Sequence, residues 1–515
     1  MKESILIVDF GSQVTKLIAR RIRELGVFSH IIPFSDISKK ILKEKLIKGI
    51  IFSGGPKSVD EKKAPKISKF IYDANIPILG ICYGLQLISK QFGGTVIPSH
   101  DREFGKTSLE IKKKSPLLQN AFLKKNNQVW MSHSDKVQQI PNNFEKIAST
   151  ENCEFAIIQN LKKKIFGVQF HPEVVHTIGG EKIINNFVKK ICGCKAEWNM
   201  KYFKNKIIND IKNKVGNAKV LCGLSGGVDS TVTALLINSA IGKNIICVFV
   251  DTGLMREGER KEIENLFKKH FKIKLKVING SKLFYDKLKG VSNPERKRKI
   301  IGNQFIKIFE KFALTQKNIK FLAQGTLYPD VIESLSKIGC TTVTIKSHHN
   351  VGGLPKKMSL KLLEPLNELF KDEVRKLGKE LNIPDSFTQR HPFPGPGLAI
   401  RLLGSIDKKN IEILRKADAI FINLIKEEGL YDEIWQAFCV LLPVNTVGVM
   451  GDNRTYEKIC VLRAVTSVDG MTAEAYQFDD KFIKRCANEI INKVPGINRV
   501  CYDFTSKPPG TVEFE

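Results

Sequence analysis

The chain has 515 residues, 42% of them hydrophobic, a composition of folded proteins rather than disordered or fibrous ones; at ~150 residues per domain it implies about three domains. No apolar run approaches the ~20 residues of a membrane-spanning helix, and the opening MKESILIVDFGSQ reads as a β-strand rather than a signal peptide, so a cytoplasmic, membrane-free protein is expected. Eleven cysteines without a CxxC pair fit buried thiols in a reducing compartment, and the formal charge of +30 is spread along the chain without a basic tail, so no specific nucleic acid is expected.

Residues 1–198 alternate short apolar runs (ILIVDF, GIIFSGG, IPILGIC, FGVQF) with helical patterns. Runs of that length ending in Gly-rich turns predict the parallel strands of an α/β domain. Residues 199–390 repeat the theme with KVLCGLSGG, IICVFVD, LKVING and FLAQGT, a second parallel-sheet α/β domain. From His391 the texture changes to HPFPGPGL, then to helix-like segments mixed with NTVGVMGD and EKICVLRAVTS. That mixture predicts a smaller α+β domain over 391–515.

In the first domain, IPILGICYGLQ sets Cys82 between Gly80 and Gly84 directly after a strand. This is the thiol counterpart of the G-x-S-x-G elbow, in which a sharp strand-to-helix turn presents the nucleophile. FGVQFHPE sets His171 and Glu173 two apart at a strand end, where both side chains can point the same way. A histidine there can take and return the thiol proton while the glutamate orients the ring. SGGP at Ser53–Pro56 follows another strand, and the N–H groups of Gly54, Gly55 and Tyr83 can form an oxyanion hole. Taken alone, Cys82 reads more readily as a buried cysteine at a Gly-rich strand end, and the alternative for His171 is a satisfied core histidine.

With DFGSQ, SGGP, GICYGLQ, MSHSD and FHPE in this order, the domain resembles the class I glutamine amidotransferases. The resemblance implies that Cys82 attacks the glutamine amide, that His171 is base and acid, and that Glu173 orients it. It further implies that Gln86, His133, Ser134 and Asp135 help to hold glutamine.

In the second domain, LSGGVDST leads from a strand into a helix. The N–H groups of Gly226, Gly227 and Val228 can surround phosphate, with Ser225, Ser230 and Thr231 adding hydroxyls and Asp229 able to hold Mg²⁺. No Walker A lysine is present, so terminal phosphoryl transfer does not fit. The string resembles the ATP pyrophosphatase loop, which implies cleavage between the α- and β-phosphates and adenylation of an acceptor. By the same resemblance Val250 and Leu254 of FVDTGLMR pack on adenine, and Gly325 of AQGT lines the nucleotide cleft.

A glutaminase joined to an adenylating domain needs an acceptor oxygen that ammonia can displace once it is adenylated, and the O2 oxygen of XMP fits. NPERKRKIIG starts a helix, with Asn293 as N-cap and Pro294 at its first position. This segment, IKSHHNVGGLP, VGVMGDNRTY and the final SKPPGTVEFE resemble the GMP synthase family. The resemblance implies that Arg298, Asp452, Lys507 and Glu513 bind XMP. It also implies that Lys346, His348 and His349 lie on a lid and that the last domain makes a homodimer. Phe514 departs from the family's usual Trp. A tRNA-modifying ATP pyrophosphatase, NAD synthase and a non-catalytic RNA-binding relative are the alternatives. The first leaves the glutaminase unexplained, the second lacks the terminal signature, and intact Cys82, His171, Glu173 and Asp229 argue against the third.

Overall fold

The computed structural model describes residues 3–44, 46–122, 127–335, 360–467 and 472–515. These fall into two compact units, one built on the chain up to Phe203 and on residues 329–335, the other on Lys204–Tyr328 and the chain from residue 360.

The first unit contains β1 (Ser4–Asp9), β2 (Phe28–Pro33), β3 (Ile47–Phe52), β4 (Ile78–Ile81), β5 (Thr95–Ser108), β6 (Glu110–Ile111), β7 (Gln128–Gln139), β8 (Glu145–Ser149), β9 (Ile157–Asn160) and β10 (Ile165–Val168). Eight of these strands make one sheet in the order β2-β1-β3-β4-β10-β9-β8-β6. The pairings from β2 to β10 are parallel, as the apolar runs predict, and Ile5, Leu6, Ile7, Ile50, Ile51, Leu79 and Val168 have no exposed surface. From β10 outward the pairings turn antiparallel. The four apolar runs read as strands, β1, β3, β4 and β10, thus pair in parallel as expected, and the antiparallel wing is added beyond them. Asn160 and Ile165 are joined by a short turn, and only antiparallel strands can be joined so briefly. β5 and β7 form a separate two-stranded antiparallel ribbon.

The second unit contains β11 (Lys219–Leu224), β12 (Ile245–Asp251), β13 (Leu275–Asn279), β14 (Ile319–Ala323) and β15 (Lys361–Leu363) in an all-parallel sheet of order β13-β12-β11-β14-β15. It also contains a mainly antiparallel sheet of β16 (Gln436–Met450), β17 (Asn453–Thr466), β18 (Glu474–Ala475) and β19 (Ile497–Tyr502). The helices Lys408–Glu427 and Asp480–Lys493 contribute Leu414, Phe421, Cys486 and Ile490 to its core. Leu221, Val250 and Phe309 from around the parallel sheet belong to the same apolar cluster as Leu414, Phe421 and Leu462. One continuous core is the reason the last two expected domains form a single compact unit.

Candidate active sites

β4 ends at Ile81, and Cys82 follows with φ +52°, a left-handed conformation strained for any side-chain-bearing residue. The helix Tyr83–Gln91 begins at the next residue. A Cβ on Gly80 would lie 2.6 Å from the Gly84 backbone, and one on Gly84 2.5 Å from the Phe52 carbonyl oxygen. Neither position has room for a side chain, so the elbow needs both glycines.

β10 stops at Val168, so His171 and Glu173 lie in the loop beyond it and not on a strand end as expected. The loop still brings them together. His171 Nδ1 is 2.7 Å from Glu173 Oε1, and the ring also hydrogen-bonds Cys82. Burial disfavours a charged imidazole here, but the Glu173 carboxylate and the bond to Cys82 outweigh it and hold the His171 pKa well above its ordinary value. Glu173 is itself fully buried, and among the described residues its Oε2 has no hydrogen-bond partner.

The loop after β3 closes on this pair. A Cβ on Gly54 would lie 3.2 Å from His171 Cε1, and one on Gly55 3.3 Å from Tyr83 Cγ. Cys82 Sγ lies 3.6 Å from the Ser132 carbonyl oxygen and 3.7 Å from Gln169 Nε2. Gln86 Nε2 donates to the Asp135 carbonyl at 2.8 Å, and Ser134 is exposed. The His133 side chain is buried and faces Glu103. Sequence reading missed both Gln169 and Glu103. Gln169 lay inside the quoted FGVQFHPE run, whereas nothing local marks Glu103.

In the second unit β11 runs into the helix Val228–Ile241 through the serine–glycine loop, as read from the sequence. The hydroxyls of Ser225 and Ser230 lie 3.2 Å apart, and those of Ser230 and Thr231 donate to the Gly227 carbonyl at 3.1 and 3.0 Å. Gly325 approaches so closely that a Cβ on it would sit 3.1 Å from Asp229 Cβ. The Asp229 carboxylate accepts from Lys371 Nζ at 2.6 and 2.7 Å. Lys371, at the start of the helix Lys371–Glu380, was not singled out from the sequence, since FKDEVRK carries no phosphate signal. Val250 and Leu254 are core residues, 2% and 1% exposed. Among the described residues no cluster of three or more His, Cys, Asp or Glu side chains could hold a metal. A single carboxylate fits Mg²⁺ in the mode where substrate phosphates and water complete the shell.

The chain end is docked. Asn293 caps the helix Pro294–Leu314 by accepting from the Arg296 N–H at 2.9 Å. Arg298 donates to the Glu515 main-chain oxygen, and the buried Lys297 ammonium to Glu515 Oε2 and to the Ala399 and Leu402 carbonyls. Glu513 accepts from Arg401 at 2.9 and 3.1 Å and from Gln436 at 2.6 Å, so protein donors already engage both its oxygens. Lys507 bridges to Ala473 through the backbone. Asp452 sits apart, at the exposed turn between β16 and β17. At ~3.3 Å per strand residue it is roughly 35 Å from Arg463, which holds the tail. The structure therefore does not bring Asp452 to Lys507 and Glu513 of its own chain. Lys346, His348 and His349 lie outside the described residues.

The class-I glutamine amidotransferase family model matches residues 6–191, the NAD synthase model 200–299 and the GMP synthase C terminal domain model 423–514. The chain is 55% identical over 517 residues to a GMP synthase (glutamine-hydrolyzing) of Zymomonas mobilis, covering 100% of this chain and 98% of that one. It is 56% identical over 520 residues to the enzyme of that description from Agrobacterium fabrum, covering 100% and 99%. The one from Bradyrhizobium diazoefficiens is 55% identical, with 100% and 93% covered. The NAD synthase match thus reflects a shared central domain, and over its full length the chain belongs to the glutamine-hydrolysing GMP synthase family.

Proposed function

We propose that this chain makes GMP: it hydrolyses glutamine to glutamate and ammonia, adenylates XMP with ATP, and lets ammonia displace AMP. The observation that carries this reading is the full-length match to glutamine-hydrolysing GMP synthases, which unites both chemistries on one chain. It is a carbon–nitrogen ligase. The proposed domains are 1–198 for glutamine hydrolysis, 199–390 for adenylation and 391–515 for XMP binding and dimerisation.

In glutamine hydrolysis Cys82 sulfur attacks the side-chain amide carbon while the N–H groups of Gly54, Gly55 and Tyr83 receive the oxyanion. His171, held by Glu173, passes the thiol proton to the departing amine. Ammonia leaves, a thioester remains, and water activated by the same histidine releases glutamate. The 2.7 Å contact between His171 and Glu173 supports this division of roles. Ser134, Asp135 and Gln86 belong to the glutamine-binding wall.

In adenylation the XMP O2 oxygen attacks the α-phosphorus of ATP, pyrophosphate leaves, and ammonia then attacks C2 and expels AMP. The loop Ser225–Thr231 cradles the phosphates, with Val250, Leu254 and Gly325 shaping the nucleotide's side of the cleft. Asp229 would hold Mg²⁺, which supplies charge neutralisation to the leaving pyrophosphate. Lys371, which pairs with Asp229 at 2.6 Å, is a further cation for the phosphates that this loop would hold. Arg298 and Lys507 are the cations for XMP, and Glu513 acts by fixing the chain end through Arg401. The lid reading for Lys346, His348 and His349 rests on the family resemblance alone.

A homodimer is supported by the β16–β17 hairpin, whose Val444, Val447, Val449 and Tyr456 are exposed. Asp452 rides on that hairpin, so a contact between it and XMP would be delivered to the partner. No helix among the described residues is long and apolar enough to cross a membrane. We assign the protein to the cytoplasm.

The test is GMP formation from XMP, ATP and glutamine, with pyrophosphate and glutamate followed in parallel. Pyrophosphate release that ignores XMP but responds to tRNA or deamido-NAD would overturn the assignment.

A further inference from the structure

The ribbon of β5 and β7 carries Ser132 and Ser134 toward the exposed side and has to hold them in one register against Cys82. Its pairing is irregular: the register shifts between Pro98 and Glu103, and regular pairing resumes with Glu103 opposite His133. A one-residue slip in such a ribbon turns every side chain to the opposite face. At this point the ribbon buries a polar pair. His133 Nε2 lies 3.2 Å from Glu103 Oε2, and Nδ1 lies 3.0 Å from the Asp135 carbonyl oxygen. Both ring nitrogens thus face protein oxygens. Thr150, just beyond β8, donates to both Glu103 oxygens at 3.1 and 3.2 Å and accepts from the Cys153 N–H, which ties the ribbon to the main sheet. The Asp135 carbonyl that faces His133 also accepts from Gln86 of the elbow helix.

We propose that Glu103 and His133 are positioning residues of the glutaminase: their buried pair sets the register of β7 and so fixes the wall, Ser132 to Asp135, that glutamine meets beside Cys82. Fixing register is the use of buried polar pairs best supported by experiment elsewhere. Neither side chain touches the substrate; both act through the backbone they hold. The inference rests on the glutaminase reading of Cys82.

Glu103→Ala leaves His133 and Thr150 without their acceptor, whereas Glu103→Gln keeps an acceptor oxygen in place. Glutamine-driven and ammonium-driven GMP formation are measured on the same preparations. For Glu103→Ala the glutamine KM should rise about tenfold or more while ammonium-driven turnover stays within twofold of wild type. Glu103→Gln should recover most of the glutamine KM. Glutamine should also protect Cys82 from iodoacetamide less well in Glu103→Ala, although unprotected alkylation keeps its rate. If Glu103→Ala does not fold, Glu103→Asp, which shortens the reach by one methylene, takes its place with the same expected rise. An unchanged glutamine KM, or an equal loss of ammonium-driven turnover, overturns the proposal. Cys82→Ala run alongside separates the two ideas: should it keep glutamine-driven turnover, the glutaminase reading itself has failed.

Discussion

Arg463→Lys tests whether the docked chain end belongs to the XMP site. The buried Arg463 guanidinium donates to the carbonyls of Thr505 at 2.7 Å, Thr511 at 2.8 Å and Val512 at 3.1 Å, and pairs with Asp503 Oδ2 at 2.7 Å. Lysine keeps the charge but offers a compact point in place of a planar fork. It can hold Asp503 and one neighbouring carbonyl, which leaves two contacts unmade. At about 1.5–3 kcal/mol for each bond from a charged donor, docking weakens by about 3–6 kcal/mol. That lowers the ratio of docked to undocked chain end by roughly 10² to 10⁴. Lys507 and Glu513 ride on this segment, and apparent affinity falls with the docked fraction. The KM for XMP should therefore rise at least ~10-fold in assays of XMP-dependent pyrophosphate release, with glutamine hydrolysis and ATP binding unchanged. A KM for XMP within twofold of wild type refutes the link between docking and substrate use.

Three further outcomes are expected. Cys82→Ala and His171→Ala should lose glutamine-driven GMP formation and glutamate release yet still make GMP from ammonium salt at mildly alkaline pH; normal glutamine-driven turnover in Cys82→Ala would exclude it as the nucleophile. Asp229→Asn should abolish XMP-dependent pyrophosphate release with either nitrogen source, and normal release removes Asp229 from the mechanism. His391 has its pKa pushed down to about 4, chiefly by burial, and it accepts from the Ala437 N–H while its Nε2 meets the Tyr431 carbonyl. The folded state keeps this ring neutral while the unfolded chain protonates it below about 6.5, so its contribution is complete above that pH and is lost as pH falls toward 4. The loss amounts to about 3 kcal/mol. His391→Gln keeps a donor and an acceptor without titrating, so its unfolding free energy should decline less between pH 6.5 and 4; an identical decline excludes His391.

The parts of this protein legible in its sequence are those whose signal is local. The elbow at Cys82, the serine–glycine loop before Val228 and the Asn293–Pro294 helix start each follow from steric or hydrogen-bonding demands within a few residues, and each folds as read. Sequence pattern misplaced the end of β10, where burial continues through Gln169 and Phe170 although strand pairing ends at Val168, because burial and pairing are separate demands. The antiparallel wing β9-β8-β6 lies beyond the apolar runs read as parallel strands, and only the short connections around β9 hint at it. The pairs Glu103–His133, Asp229–Lys371 and Lys297–Glu515 were not legible at all. Each joins elements distant in the chain, and nothing near a lone charged residue announces its partner.

The same limit explains why SKPPGTVEFE looks like a loose tail and is not one. Its apolar content is small: Val512 and Phe514 pack beside Phe438, Val440 and Val461. What fixes it is charge already buried elsewhere. Lys297, Arg401 and Arg463 have almost no exposed side-chain surface, and they come from a helix start, the turn after HPFPGPGLAI and the middle of β17. Their acid partners Asp503, Glu513 and Glu515 all lie in the last stretch of chain. Removing one partner from a buried ion pair costs about 3–5 kcal/mol, so undocking the end would strand several charges together. The end is thus held by the desolvation of its hosts more than by its own hydrophobicity. It follows that substitutions in the hosts, far from the terminus in sequence, should loosen the terminus as effectively as substitutions within it.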